Sequence, residues 1–146
     1  KKVNDAGIEV ASEMIVGADF DTRESLLETV EFVKKADIIA PKFYCLTPIP
    51  GTDLHTEMKE KGKITDYDYM SYKPSVSVLD TPNMKAHEVT ECYWMVYNKL
   101  YTIPAILRRT IFNKRFLKHP GRTVFYLMVN LVYRSQIKRK IAPNIL

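Results

Sequence analysis

The sequence predicts an α/β fold built on a parallel sheet, and three adjacent segments carry this prediction. Residues 7–16 (GIEVASEMIV) place apolar side chains at every second position, which is the pattern of a strand. Residues 21–35 place apolar side chains on one stripe of a helix, and residues 38–46 (IIAPKFYCL) form a second apolar run of strand length. A strand, a helix and a strand in this order form a βαβ unit, whose two strands run parallel.

Each element of the unit has local signals. Asp21 is placed to cap the N-terminus of the helix, and Glu24 three residues later would complete a capping box. Pro41 falls near the entry of the second strand, where a residue without an N–H group is tolerated. Ligands of parallel sheets bind beyond the carboxyl ends of the strands, which are here residues 17–19 and 47–52.

The rest of the chain is predicted to be mainly helical. A rigid turn with two prolines (TPIPGT) leads into a short helix that ends at Gly62, and residues 67–82 form an irregular aromatic segment. Apolar periodicity then predicts helices at residues 83–102, closed by Pro104, at 105–117 and at 123–133. The last stretch is shorter than the roughly 20 apolar residues that span a bilayer, so we expect a core or interfacial helix.

A change of composition near Pro82 divides the chain into two regions. Residues 1–82 hold the βαβ unit with its PGT loop and short helix, and residues 83–146 form a basic helical extension. Residues 92–146 contain eleven Lys or Arg and no Asp or Glu, a formal charge of +11, although the whole chain carries only +5. Such a tail is attracted to anionic lipid or nucleic acid. A solvated helix face and contact with anionic lipid explain it equally well.

Histidine and cysteine give no sign of acid–base or metal chemistry. The three histidines share no spacing and lie in different predicted elements: His55, His87 and His119. We expect them to be exposed to solvent. Cys45 and Cys92 fit neither a disulfide scaffold nor a zinc site, so we expect buried thiols and a cytoplasmic, reducing setting.

Three acidic residues and an aromatic cluster are further candidates. Asp19 and Asp21 offer too few oxygen ligands for calcium, which favours helix capping over metal binding. Glu13 could accept hydrogen bonds from ligand hydroxyls near the end of the first strand, or could lie on an exposed edge. The cluster could line a groove or anchor a membrane face, but ordinary packing is favoured. Its members are Tyr67, Tyr69, Tyr72, Tyr93, Trp94 and Tyr97.

Five segments, taken in order, resemble the C-terminal part of radical S-adenosylmethionine (radical SAM) enzymes. They are residues 7–8 (GI), 14–22 (MIVGADFDT), 46–54 (LTPIPGTDL), 62–64 (GKI) and 82–84 (PNM). The segment LTPIPGT is the strongest match and GADFDT the second. The chain is most similar to the subgroup with an N-terminal cobalamin-binding domain, which includes bacteriochlorophyll-cyclase and hopanoid-modifying types.

This resemblance implies the C-terminal portion of a partial (β/α)6 TIM-like barrel followed by a helical tail. In that family a [4Fe-4S] cluster on a Cys-x3-Cys-x2-Cys motif reduces S-adenosylmethionine to a radical. The chain lacks this motif, Cys45 and Cys92 cannot replace it, and the cobalamin module is absent too. The cluster and cobalamin would therefore belong to a missing N-terminal part of the same polypeptide.

The same resemblance places part of the S-adenosylmethionine pocket on this chain. Glu13 would accept hydrogen bonds from the ribose, Ile15 and Gly17 would approach the adenosine, and a second group would lie beside the adenine. That second group is Leu46, Thr47 and Pro48.

The sequence thus leads to two hypotheses about function. In the first, the chain is a piece of a cobalamin-dependent radical SAM enzyme and is inactive by itself. The parent enzyme performs methyl transfer or cyclisation on a lipid-like or tetrapyrrole substrate. The start at Lys1 and the absence of an apolar leader agree with such a cytoplasmic piece. The second is a noncatalytic α/β module that binds anionic membrane or, less favoured, nucleic acid through its basic tail.

Overall fold

Two parallel strands and the helices around them form the framework of the protein. The computed structural model describes residues 2–6, 8–113 and 120–143. In chain order, the helices and strands are α1 (Lys2–Asp5), β1 (Ala11–Val16), α2 (Arg23–Lys35), β2 (Ala40–Cys45), α3 (Asp53–Glu60), α4 (Ala86–Leu100), α5 (Ile103–Arg109) and α6 (Pro120–Lys138). A 3-10 turn at Tyr69–Ser71 and an antiparallel bridge between Ile64 and Leu79 order the segment between α3 and α4.

The predicted βαβ unit is confirmed. β1 and β2 pair in parallel, with Ala11 opposite Ala40 and Val16 opposite Cys45. Within the described ranges the sheet contains these two strands. The observed architecture is therefore mixed α/β with a small parallel sheet, and no barrel is seen in this part of the chain.

The start of α2 differs from the prediction by one residue. Thr22, not Asp21, is the N-cap: its hydroxyl accepts a hydrogen bond from the Ser25 N–H at 3.1 Å, and the Ser25 hydroxyl accepts one from the Thr22 N–H at 3.0 Å. The predicted box of Asp21 and Glu24 was wrong because the Asp21 carboxylate turns back and accepts two backbone N–H groups of the loop after β1, at 2.8 and 3.0 Å.

The C-terminal helices also have other limits than predicted. α4 ends at Leu100, and Pro104 does not close it but lies in the first turn of α5, where its missing N–H costs nothing. α5 ends at Arg109, whereas the predicted helix extended to residue 117; residues 114–117 lie outside the described residues. α6 is longer than the predicted 123–133 stretch. None of the helices in the described part of the chain is both long and apolar enough to cross a membrane.

The hydrophobic core lies between the sheet and the C-terminal helices. α2, α4 and α6 contribute apolar side chains to one cluster around β2, so residues on both sides of Pro82 share this core. Four tyrosines and one phenylalanine are among its largest fully buried side chains: Tyr93, Tyr97, Tyr101, Tyr133 and Phe43. The predicted aromatic cluster therefore divides, with its α4 members in the core and its earlier members elsewhere.

Side chains of α4 and of the residue that follows it cover the outer edge of β2, where a third strand would otherwise pair. The Tyr97 hydroxyl accepts a hydrogen bond from the Phe43 N–H at 2.8 Å and donates to the Phe43 carbonyl at 3.2 Å. One helical turn later, the Tyr101 hydroxyl donates to the Pro41 carbonyl at 2.8 Å. These bonds satisfy strand groups that would be costly to bury unpaired.

Candidate functional site

The face of the sheet that points away from the core carries a group of polar and apolar side chains, here called the open face. Side chains alternate along a strand, so Glu13 and Ile15 share this face with their partners on β2, Lys42 and Tyr44. The side chains of Glu13 and Ile15 are both 61% exposed. Lys42, by contrast, is buried.

Glu13 is held by two partners from β2. The Lys42 ammonium lies 2.6 Å from a Glu13 carboxylate oxygen, and the Tyr44 hydroxyl donates to the same oxygen at 3.2 Å. The hydrogen bond from Lys42, reinforced by its charge, lowers the pKa of Glu13, and the hydrogen bond to Glu13 raises the pKa of Lys42 despite burial. Glu13 is therefore ionised at neutral pH and acts as an acceptor rather than a proton donor.

A cleft of about 430 Å³ lies next to the open face, at the carboxyl end of β2. Its walls include Tyr44, Ile49, Tyr69 and Tyr72. The Pro74 carbonyl accepts a hydrogen bond from the last residue of β2 at 2.8 Å and so holds the aromatic segment against the strand end. We call this feature the aromatic cleft. Its volume falls in the range of small-molecule sites, although the cleft is shallow and open to solvent.

Tyr44 connects the two features, because its hydroxyl contacts Glu13 while its side chain lines the aromatic cleft. The structure thus places an ionised carboxylate beside an aromatic cavity at the end of a parallel strand, where ligands of α/β folds bind.

The six residues proposed from sequence for the cofactor are divided between the surface and the interior. Glu13 and Ile15 lie on the open face, and Thr47 lines the aromatic cleft, its hydroxyl donating to the Cys45 carbonyl at 3.0 Å. The other three residues are buried or half-buried: Gly17, Leu46 and Pro48. Leu46 packs against a small apolar cluster formed by α3 and the bridge region.

Gly17 has a structural reason to be glycine. Its φ of +99° is one that side chains disfavour, and a Cβ atom here would lie 3.0 Å from Cγ1 of Val89. The close approach that requires glycine is therefore to α4, at the turn that leads out of β1.

The remaining candidates do not form a site. No group of three or more potential metal ligands occurs in residues 2–6, 8–113 and 120–143. Both cysteines are buried, as expected, and burial raises the pKa of the Cys45 thiol to about 12 and also raises that of Cys92. His87 is exposed as expected, His55 is half-buried, and His119 lies outside the described residues.

Sequence reasoning missed Lys42 and Tyr44. Their signal was present, because a lysine inside the apolar run IIAPKFYCL needs a partner, and a parallel register places it beside the neighbouring strand. Only the register itself identifies Glu13 as that partner.

Comparison with known proteins shows similarity to methyltransferases. A bacteriochlorophyllide d C-8(2)-methyltransferase of Chlorobaculum tepidum is 30% identical over 140 residues, which cover 96% of this chain and 29% of that protein. A bacteriochlorophyllide d C-12(1)-methyltransferase of the same organism is 28% identical over 102 residues, 70% of this chain and 22% of that protein. An uncharacterised methyltransferase of Pyrococcus horikoshii is 26% identical over 106 residues, 73% of this chain and 23% of that protein. No family model matches the chain.

These findings correct the family resemblance drawn from the sequence. The relatives are named as methyltransferases, and no family model places the chain among radical SAM enzymes with a cobalamin-binding domain. The expected iron–sulfur cluster and cobalamin gain no support from these names. The chain spans less than a third of the length of each of these relatives, so it is similar to one part of each methyltransferase.

Proposed function

We propose that this chain is part of a methyltransferase that takes its methyl group from S-adenosylmethionine and transfers it to a tetrapyrrole. The observation that carries the proposal is the alignment of 96% of the chain with a bacteriochlorophyllide d C-8(2)-methyltransferase. Because the chain covers 29% of that relative, the proposal includes the rest of a longer polypeptide as a partner in catalysis.

The open face fits one side of an S-adenosylmethionine molecule. The ionised Glu13 carboxylate suits the hydroxyl groups of the ribose, and the exposed Ile15 side chain offers apolar surface to the adenine. When bound, S-adenosylmethionine supplies an electrophilic methyl group. In this arrangement Glu13 positions the donor and transfers no proton, because Lys42 keeps its pKa low.

The aromatic cleft suits the methyl acceptor. Tyrosine rings provide flat apolar surfaces on which a planar macrocycle can stack. Tyr69 and Tyr72 already pack edge to face there, with ring centroids 5.5 Å apart, and Tyr69 remains 61% exposed. Because Tyr44 borders both features, donor and acceptor would meet beside it.

The free edge of β1 fits the proposed larger assembly. β1 pairs with β2 on one side and has no strand partner on the other within the described residues, whereas α4 covers the outer edge of β2. A further parallel strand from the remaining polypeptide would extend the sheet at β1.

Donor binding by the full polypeptide tests the proposal. Calorimetric titration with S-adenosylmethionine should show roughly tenfold weaker binding for Glu13→Gln, since a charged hydrogen bond contributes about 1.5–3 kcal/mol. The matched control is Glu57→Gln, because Glu57 is also an exposed glutamate ion-paired with a lysine, but on α3. Equal binding by both variants would contradict the assignment of the donor to the open face.

Methyl transfer itself is measured with radiolabelled S-adenosylmethionine and bacteriochlorophyllide d. Tyr72→Ala should lower incorporation by raising the KM for the tetrapyrrole, while Phe32→Ala, which removes an exposed aromatic side chain from α2, should have no effect. Absence of incorporation by the unmodified full polypeptide would refute the proposed acceptor.

A second candidate function, binding to an anionic membrane surface, rests on the outward face of α6. This face exposes apolar side chains at helical spacing: Val124, Phe125, Met128, Leu131 and Val132. Exposed Lys138 and Arg139 follow at the helix end, in a region without any acidic residue. An apolar helix face next to cations is typical of helices that lie in the bilayer interface.

Liposome cosedimentation tests this second function. The double variant Phe125→Ser with Met128→Ser should lose binding to vesicles that contain phosphatidylserine, and Phe32→Ser on α2 should retain it. Binding of both variants at the level of the unmodified protein would refute a role of α6. Binding to duplex DNA that exceeds binding to vesicles would transfer the role of the tail to nucleic acid.

A further inference from the structure

A second cavity, of about 300 Å³, lies between the end of α2, the end of α4 and α5. It shares no lining residue with the aromatic cleft. Four cations and two acids contribute to its walls: Lys34, Lys99, Arg108, Arg109, Glu31 and Asp37. Glu31 is already paired with Lys34 at 2.7 Å, so the cavity retains an excess of positive charge.

Arg109 is buried in the wall of this cavity, with 8% of its surface exposed. Its Nε–H donates to the Asn130 side-chain oxygen at 2.8 Å, and its guanidinium lies 4.4 Å from the centroid of the Tyr101 ring. Its Nη2 is also buried and has no hydrogen-bond acceptor among the described residues. No described carboxylate forms an ion pair with it.

A buried cation with neutral partners is costly to maintain. Asn130 is neutral and is itself held by bonds from its amide to the carbonyls of Ile39 at 3.2 Å and Tyr126 at 2.8 Å, so it is fixed as an acceptor for Arg109. Burial lowers the pKa of Arg109, which expresses the cost of keeping this charge out of water. Because arginine stays protonated even so, an anion at Nη2 would remove most of this cost.

We propose that this cavity binds a phosphate group, with Arg109 as its buried anchor and Lys99 and Arg108 as exposed cations at its mouth. The guanidinium donates in a planar fork that matches phosphate oxygens, and two further cations suit an ion that carries up to two negative charges. The phosphate belongs either to a soluble ester or to a lipid headgroup, which share this chemistry. The site is independent of the proposed methyl transfer.

Titration of the full protein with inorganic phosphate, at constant ionic strength set with sodium chloride, tests the site. Phosphorus NMR line broadening and calorimetry should show binding that weakens about tenfold in Arg109→Gln and severalfold in Lys99→Gln. Lys99 is exposed, so its replacement keeps the test valid if Arg109→Gln does not fold. The matched control is Lys59→Gln, an exposed lysine on α3 that should leave binding unchanged.

Four further outcomes are decisive. Equal weakening by Lys99→Gln and Lys59→Gln would reveal general attraction to exposed lysines and overturn the site. Tighter binding of acetate than of phosphate would overturn the choice of phosphate. Glycerol phosphate represents a soluble ester, and vesicles with phosphatidic acid represent a lipid headgroup. Binding of either probe that weakens in Lys99→Gln supports the site. Binding of both probes that is unchanged in Lys99→Gln refutes it.

Discussion

Removal of one hydroxyl group, in the variant Tyr97→Phe, should destabilise the protein by about 2 kcal/mol. The Tyr97 hydroxyl closes the outer edge of β2 by accepting from the Phe43 N–H at 2.8 Å and donating to its carbonyl at 3.2 Å. Burial raises the pKa of Tyr97 to about 12, so the hydroxyl is protonated at neutral pH and can donate. The variant keeps the ring, whose centroid lies 5.5 Å from that of Phe43, and leaves a buried N–H without an acceptor. Such an orphaned group costs about 1–3 kcal/mol.

Urea denaturation followed by circular dichroism measures this change, and hydrogen exchange locates it. A loss of about 2 kcal/mol corresponds to a fall in Tm of about 4–8 °C for a chain of this size. The Phe43 amide should lose protection. The matched control is Tyr93→Phe, since Tyr93 is equally buried on the same helix, but its hydroxyl interacts with that of Tyr97 and forms no hydrogen bond to a backbone group of β2 among the described residues. Equal destabilisation of both variants would refute the edge-closing role of Tyr97.

Three other predictions follow from the same structure. Gly17→Ala should destabilise the protein by more than the roughly 1 kcal/mol expected for Gly51→Ala. Both glycines have a positive φ, but of the two only Gly17 would bring a Cβ atom against a neighbouring side chain. Equal melting temperatures of the two variants would contradict this prediction. Because the pKa of Glu13 is lowered in the folded protein, the contribution of Glu13 to stability is complete above its unfolded-state pKa and is lost as the pH falls through its folded-state pKa. NMR titration of Lys42→Met should show a higher pKa for Glu13 than in the unmodified protein. Cys45, whose pKa is raised to about 12, should not react with Ellman's reagent at pH 8 until urea is added; fast labelling of the native protein would show that the strand end opens.

Local pattern predicted much of the framework. The alternating residues of β1, the stripe of α2 and the apolar run of β2 specified the parallel βαβ unit, because periodicity reports which side of an element is buried. The turn before α3 followed from its prolines, and the structure shows Thr52 as the N-cap of that helix. The shift of the α2 cap to Thr22 was not predictable in this way, because Asp21 and Thr22 are both good caps and their choice depends on the loop that Asp21 braces.

The candidate site was only partly visible in the sequence. Ile15 and Thr47 lie towards the carboxyl ends of β1 and β2, whereas Glu13 lies in the middle of β1, and the role of these residues in binding stays a prediction. Lys42 became the partner of Glu13 only through the register between two strands, and the burial of Arg109 depends on Asn130, which lies 21 positions further along the chain. Periodicity describes one element at a time, whereas these pairs form between elements.

The amino-acid sequence alone was sufficient for the class of fold, the parallel unit, the burial of both cysteines and the basic character of the C-terminal half, because each follows from local composition and spacing. Packing was needed for the rest. Three features arise where distant segments meet: the closing of β2 by tyrosines, the ionised carboxylate beside the aromatic cleft, and the buried arginine, which has no counter-charge among the described residues. The free energy of such contacts depends on distances and desolvation that no single segment of the chain contains.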